Sequence, residues 1–146
     1  MHHQIREAQA GDAESIAKLI GVLGYGLDAS QVSERIEAYG NESSRVFVAL
    51  DKATVVGFLS FHAIPLFHQQ AMLGRITAMA IDPQHFRQGI GSSLLKAAED
   101  FAIRVGCSRI EVVSGDHREG DAHLFYASQG YRSDCRRFQK HLRDTS

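Results

Sequence analysis

The chain has no tryptophan, two prolines, two cysteines and almost no net charge, and each shortage excludes something. Cys107 and Cys135 lie far apart and form no C-x-x-C, so neither a zinc ribbon nor a dithiol redox motif is expected, and both read as free thiols. A formal net charge of -1 gives no general drive toward nucleic acid or an anionic membrane. No run approaches 18 apolar residues and MHHQIREA lacks the apolar stretch of a signal peptide, so a cytoplasmic protein with no membrane partner is expected. The eight histidines include no pair at ligand spacing beside an acidic or cysteine partner, so no metal site is expected. Repeats and low-complexity segments are also missing. What remains is ordinary globular material, 44% hydrophobic and 23% charged. Its 146 residues suffice to bury about 68–70% of the unfolded surface in one core, so residues 1–146 are expected to form a single domain.

Hydropathy periods divide the chain. Gln4 to Ala8 reads as an edge strand with Ile5 inward. Ala13, Ile16, Ala17, Leu19, Ile20 and Leu23 repeat at three and four residues, which predicts a helix with Asp12 as N-cap and Gly24-Tyr25-Gly26 as its end. Asp28-Ala29-Ser30-Gln31 resembles a capping box, opening a second helix that carries Val32, Ile36 and Tyr39 on one face and stops at Gly40. From Arg45 the period becomes two, and Asp51-Lys52-Ala53 turns this strand into an antiparallel hairpin whose second arm ends at Pro65. A central strand follows from about Ala71, then a helix from Ile90 to Val105 burying Leu94, Leu95, Ala98, Phe101, Ala102 and Val105, closed by Gly106. Arg109 to Ser114 is expected to return parallel to the central strand. A loop, a short helix from Asp121 to Gln129 capped by Gly130, and one or two strands within Tyr131 to Leu142 complete the pattern β-α-α-β-β-β-α-β-α-β, a mixed α/β sheet flanked by helices.

The chain is organised around Ile76 to Leu95, ITAMAIDPQHFRQGIGSSLL, which reads strand, loop, helix. Gly89 and Gly91 stand where the helix begins. Amides at that point have no intrahelical partner, glycine removes the side chains that would hold a ligand off, and the helix dipole adds positive charge, so a phosphate or pyrophosphate is the expected guest. Alone, the two glycines would suit a tight strand-to-helix turn. A Walker A loop needs a Lys directly after the last glycine, and here none follows Gly91 until Lys96. A dinucleotide fingerprint needs a third glycine where Leu94 stands.

The segment resembles the acetyl-CoA loop, Q/R-x-x-G-x-G/A, of the GCN5-related N-acetyltransferase (GNAT) superfamily. Phe86 occupies the Q/R position, with Arg87 one residue later. A second stretch, Ala122-His123-Leu124-Phe125-Tyr126-Ala127-Ser128-Gln129-Gly130-Tyr131, is similar to the family pattern A-x-x-[FL]-Y-x-x-x-G-[FY]. The two occur in the family's order, and with the preceding strands the resemblance covers nearly the whole chain. It implies a mainly antiparallel sheet whose parallel central strands splay into an acetyl-CoA cleft. It further implies pyrophosphate binding by the main chain of Arg87, Gln88, Gly89, Ile90, Gly91 and Ser92, and a central-strand N–H among Met79, Ala80 and Ile81 that polarises the thioester carbonyl. Tyr126 takes the place of the general acid that protonates the departing thiolate.

The activity implied is transfer of an acetyl group from acetyl-CoA, without metal, to a primary amine of a small molecule or peptide; a homodimer is compatible with the family. The alternative is a non-catalytic acyl-CoA-binding sensor or interaction domain on the same fold. The base is open: no carboxylate stands in Ile76-Thr77-Ala78-Met79, and Asp116, His117, His62, His68 and a water chain are the alternatives. Arg118 and Glu119 fall where relatives carry a CoA contact, and Arg132, Arg136, Arg137, Lys140 and Arg143 form a basic run suited to solvent, a CoA phosphate or an anionic substrate. Acceptor choice is expected from the loops Tyr25 to Asp28 and Ala63 to Leu73, neither of which holds the acidic cluster that a polycation would need.

Overall fold

The computed structural model describes residues 3–113 and 121–143. The chain divides into two compact units, Met1–Val112 and Val113–Ser146. The first holds a five-stranded sheet in the order β1-β2-β3-β4-β5, built from Gln4–Glu7, Ser44–Asp51, Thr54–Pro65, Met72–Ile81 and Cys107–Val112. The first three pairings are antiparallel and β4–β5 is parallel, with α3 (Ile90–Arg104) as the crossover. Two earlier helices, α1 (Ala13–Val22) and α2 (Ala29–Ala38), separate β1 from β2.

Period-two alternation sorts the sheet's side chains between two layers. Val48, Leu50, Phe58 and Ala80 pack with Ala13, Ile16, Leu19 and Val32 of α1 and α2. The residues between them face α3: Phe47 and Phe61 both meet the Phe101 ring edge-on, at centroid distances of 6.5 and 5.6 Å. Helix α3 buries Leu94, Leu95, Ala98, Phe101 and Ala102 as the spacing predicts, and Ile90 besides, while Val105 at its C-cap is half-buried. Each such aliphatic side chain contributes about 1.5–3 kcal/mol by leaving water. Two glycines permit the close approach. A Cβ on Gly57 would sit 3.2 Å from Ile90 Cγ2, and one on Gly74 would sit 2.7 Å from the Phe61 ring.

The capping box at Asp28 is present, with Gln31 N–H donating to Asp28 Oδ1 at 2.8 Å and Asp28 N–H donating to Gln31 Oε1 at 3.0 Å. Asp12 departs from its expected role. It stands at the N-cap position of α1, but its carboxylate makes no cap bond to that helix. A single 3₁₀ turn, Ala10–Asp12, precedes α1, and Asp12 instead accepts from Gln9 N–H at 2.7 Å and from both Arg6 nitrogens at 2.8 and 3.0 Å. The Arg6 guanidinium lowers the Asp12 pKa, followed by the Gln9 amide, against the opposing effect of burial.

Strand β5 begins two residues before the expected Arg109, because the chain leaves α3 through Gly106 (φ 94°) directly into the sheet, where Gly106 C=O accepts from Met72 N–H at 3.2 Å. In the second unit α4 spans Asp121–Ser128, and Gly130 (φ 90°) follows it. The strands expected within Tyr131 to Leu142 do not form: among the described residues this stretch has no ladder partner, and Phe138 and Leu142 are exposed. Its apolar residues Tyr131, Cys135, Phe138 and Leu142 fall at intervals of four, three and four, which cannot give a strand one buried face. The basic run is accordingly exposed, with Arg132 paired to Asp134 at 3.4 Å.

Candidate active site

The middle of β4 holds an irregularity that opens the sheet. The β3–β4 register shifts between Ser60 and Phe61, so Ser60 opposes Ala78 and Phe61 opposes Ile76, leaving Thr77 as the extra residue of a bulge. The β4–β5 ladder ends at Ile76 opposite Val112. Beyond it, among the described residues, nothing pairs with β4 on the β5 side. Asp82 N–H donates to Val56 C=O at 2.8 Å. Antiparallel alternation then directs the Ala80 amide to β3 and the Met79 and Ile81 amides toward the open side. Of the three residues singled out from sequence, Met79 and Ile81 therefore offer donors there, whereas Ala80 is committed to the sheet and its methyl group to the core.

After β4 the chain makes a 3₁₀ turn, Pro83–His85, which the Asp82 carboxylate caps by accepting from Gln84 N–H at 3.1 Å. His85 ties this turn to the β2–β3 hairpin, with Nε2 3.2 Å from Asp51 Oδ2 and Nδ1 3.3 Å from Asp82 Oδ2. Phe86, in the Q/R position, is exposed. Arg87 (φ 63°) and Gly89 (φ 79°) both adopt left-handed backbone, which turns the loop into α3. Ser93 N–H donates to Gly89 C=O at 3.1 Å as the first helical bond, so the amides of Ile90, Gly91 and Ser92 precede it without intrahelical acceptors. Ile90 sends its side chain into the core and offers a ligand only its backbone.

One feature of this cradle escaped sequence reasoning. His3 Nε2 lies 2.7 Å from Ser93 Oγ, and a Cβ on Gly89 would stand 4.0 Å from His3 Cε1. His3 Nδ1 and Gln88 Oε1 are buried without a hydrogen-bond partner, so the loop carries polar capacity that the protein leaves unused. Free amides at the α3 N-terminus and glycine where a ligand would touch suit a pyrophosphate such as that of acetyl-CoA, whereas the Gln88 oxygen, an acceptor, does not.

On the α1–α2 side of β4 lies a cavity of about 230 Å³ with mainly apolar walls, including Ile20, Leu27 and Phe58. Because Thr77 is the bulged residue, it and Ala78 both line this cavity. Tyr39 Oη is 3.1 Å from Thr77 Oγ1, which is 2.7 Å from Ser60 Oγ, so three hydroxyls form a chain beside the open part of β4. Arg35 lines the same cavity from α2. Of the loops expected to select the acceptor, Tyr25 to Asp28 contributes Leu27 and Ala63 to Leu73 contributes no lining residue. Neither His62 nor His68 lines it: His62 Nδ1 is engaged with Ser44 Oγ at 2.5 Å and His68 is exposed. Asp116, His117, Arg118, Glu119 and Gly120 lie outside the described residues.

Tyr126 belongs to α4 of the second unit, where it is half-buried between Phe125 and Tyr131, at ring-centroid distances of 5.3 and 5.9 Å. Tyr131 N–H donates to Tyr126 C=O at 3.0 Å, closing the helix ahead of the C-terminal stretch. The second sequence motif thus forms a helix end whose aromatic rings meet edge to face. Cys107 is half-buried, and burial pushes its thiol pKa up, away from thiolate chemistry.

The family model for the Acetyltransferase (GNAT) family matches residues 13–131. The chain belongs to that family. It is 36% identical over 95 residues to an aminoalkylphosphonate N-acetyltransferase of Salmonella typhimurium, a match covering 65% of this chain and 61% of that relative. Among solved structures, a transcriptional regulator from Bacillus halodurans C-125 superposes with a TM-score of 0.85 at 26% identity, covering 97% of this chain and 100% of the other. Glucosamine-6-phosphate N-acetyltransferase from Arabidopsis thaliana gives 0.82 at 16% identity, covering 98% and 100%, and shares the fold. The mixed sheet with its parallel β4–β5 pair is the fold of this family.

Proposed function

We propose that the protein is an acetyl-CoA-dependent N-acetyltransferase acting on the primary amine of a small molecule. The observation that carries this reading is the opening of β4 beside a glycine-bounded helix N-terminus, with a cavity against the same strand. The matched relative's action on an aminoalkylphosphonate supports a small-molecule acceptor over a peptide.

Acetyl-CoA supplies the acyl group and a thiolate leaving group when bound. The protein's part is positional and electrostatic. Amides of Ile90, Gly91 and Ser92, with the left-handed Arg87 and Gly89 and the flanking Gln88, hold the pyrophosphate at the positive end of α3. The Met79 or Ile81 amide donates to the carbonyl oxygen as negative charge develops there, a contribution worth about 3–4 kcal/mol in comparable sites. An alkylamine near pKa 10.4 must first shed a proton, at a cost of about 4–5 kcal/mol at pH 7. The hydroxyl chain of Tyr39, Thr77 and Ser60 offers acceptors that orient the neutral amine and lead its proton to solvent. A nitrogen–carbon bond forms and the carbon–sulfur bond breaks; the nitrogen gives its surplus proton to the hydroxyl chain and solvent, and the sulfur takes one from the Tyr126 phenol, which solvent then reprotonates.

The test is a screen of amines, amino acids, aminoglycosides and peptide N-termini with acetyl-CoA, followed by release of free CoA thiol. Turnover of at least one small amine is expected. Acetyl-CoA binding with no turnover across the whole panel would replace the enzyme by an acyl-CoA sensor on the same fold.

A further inference from the structure

We infer that the acceptor carries an anionic group, a carboxylate or phosphoryl, a few bonds from its amine, and that Arg35 is the residue that selects it. This inference rests on the reading of the cavity as an acceptor site and specifies its substrate class. Among the described residues that line the cavity, Arg35 is the one charged side chain and none is a carboxylate. Among the described residues no acidic group stands within ion-pair distance of the Arg35 guanidinium. Arg35 is exposed while lining the cavity, so its charge is available to a ligand.

Position adds a length constraint. Tyr39 N–H donates to Arg35 C=O at 2.9 Å, so the two residues are one helical turn apart and rise from the same face of α2. That separation is about 6 Å along the helix. Tyr39 leads through Thr77 to Ser60 at the bulge, and Thr77 is two residues from Met79, whose amide faces the open side of β4. One end of the cavity thus presents hydroxyls, which accept from an amine, and the other presents a planar cation, which pairs with carboxylate or phosphoryl oxygens through two parallel N–H donors. Apolar walls at Ile20, Leu27 and Phe58 suit the short carbon chain between them and give a second cation no counter-charge. A polyamine or aminoglycoside would bring positive charge toward Arg35 with no acid to offset it.

The experiment compares 3-aminopropanoate and O-phosphoethanolamine with their neutral counterparts, the methyl ester of 3-aminopropanoate and ethanolamine, in initial-rate kinetics at saturating acetyl-CoA. Charge-assisted hydrogen bonds of this kind correspond to roughly 10–100-fold, so kcat/KM is expected to favour at least one anionic amine by that factor, the two anionic arms showing which head group fits. Arg35→Gln should erase the preference by raising KM for the anionic amine, with kcat little changed, neutral amines unaffected and the acetyl-CoA melting shift intact. Calorimetric binding of the same amines to the CoA-complexed protein separates this inference from the enzymatic one. Anionic amines that bind the wild type and not Arg35→Gln, without turnover, would end the enzymatic reading and retain the anion site. Turnover of neutral amines with no gain from the anionic group, or equal losses for both classes in Arg35→Gln, would overturn the inference while leaving the acetyltransferase in place. Binding of neither class, with no turnover, would overturn both.

Discussion

Two regions of the first unit meet at β4, and they are made of different material. The β4–α3 loop is built from backbone: left-handed Arg87 and Gly89, the unpaired amides of Ile90 to Ser92, and a turn fixed by Asp82 and His85. The cavity is built from side chains of α1, the loop after it, α2, β2, β3 and β4, whose chain positions span Ile16 to Ala78. A backbone site can be spoiled only by changing the chain's path or filling the space beside it. A side-chain site can be retuned one residue at a time. The contrast explains how one fold can keep its acyl donor and vary its acceptor.

The largest effect should come from breaking the backbone half. Gly91→Asp places a carboxylate against phosphate in the first turn of α3, where Gly91 is buried, and is expected to weaken acetyl-CoA binding at least 100-fold by calorimetry; Gly89→Asp adds backbone strain at φ 79° and should do the same. Unchanged affinity in both variants would mean that the phosphates lie elsewhere.

Next in size is Tyr126→Phe, which keeps the ring packed against Phe125 and Tyr131 and removes only the hydroxyl. Loss of a general acid costs about 10²–10⁴ in rate, so kcat should fall within that range while acetyl-CoA affinity stays within a few-fold. Full kcat under chemistry-limited conditions would reduce Tyr126 to a packing residue.

The side-chain half should respond more gently. Thr77→Val retains shape and strand preference and deletes the hydroxyl that joins Tyr39 to Ser60. Neutral hydrogen bonds are worth about 0.5–1.5 kcal/mol, so KM for the amine is expected to rise roughly 2–10-fold without loss of the acetyl-CoA melting shift. A loss of that shift would show that the two regions are not separable.

The smallest effect concerns neither site. Asp12→Asn weakens the bonds from Arg6 and Gln9 and should cost about 1–2 kcal/mol in urea unfolding at pH 7. The Asp12 carboxyl is held below its ordinary value chiefly by Arg6, so its contribution is complete above about pH 4 and is lost as pH falls through the lowered folded value. Wild type and variant should therefore converge in acid, and a gap that persists below that window would assign the effect to shape rather than charge.

The same contrast governs what could be read from the residues alone. The loop was legible because Gly89 and Gly91 act through local backbone geometry that sequence spacing reports directly. The helices were legible from their apolar repeats, and the capping box at Asp28 from its own four residues. Asp12 misled because its carboxylate answers to Arg6 on β1, a tertiary contact that overrides its place before α1. The cavity was mostly illegible. Val32, Ile36 and Tyr39 fall on one face of α2, and Arg35 stands one turn before Tyr39, but the meeting of Tyr39 with Thr77 depends on a bulge that nothing in ITAMA announces. The one or two strands expected within Tyr131 to Leu142 do not form because that stretch lacks the period-two pattern that gives a strand one buried face.

The central claim is that the β4–α3 loop is an acyl-CoA cradle, and the most direct measurement is the melting temperature of the full chain with acetyl-CoA, ATP or NADH at equal concentration. At a hundredfold excess over Kd a bound ligand adds about 2.7 kcal/mol, or about 5–10 °C for a chain of this length. A rise of that size with acetyl-CoA, and none with ATP or NADH, is expected. An unchanged melting curve with millimolar acetyl-CoA, or an equal rise with all three, would contradict it.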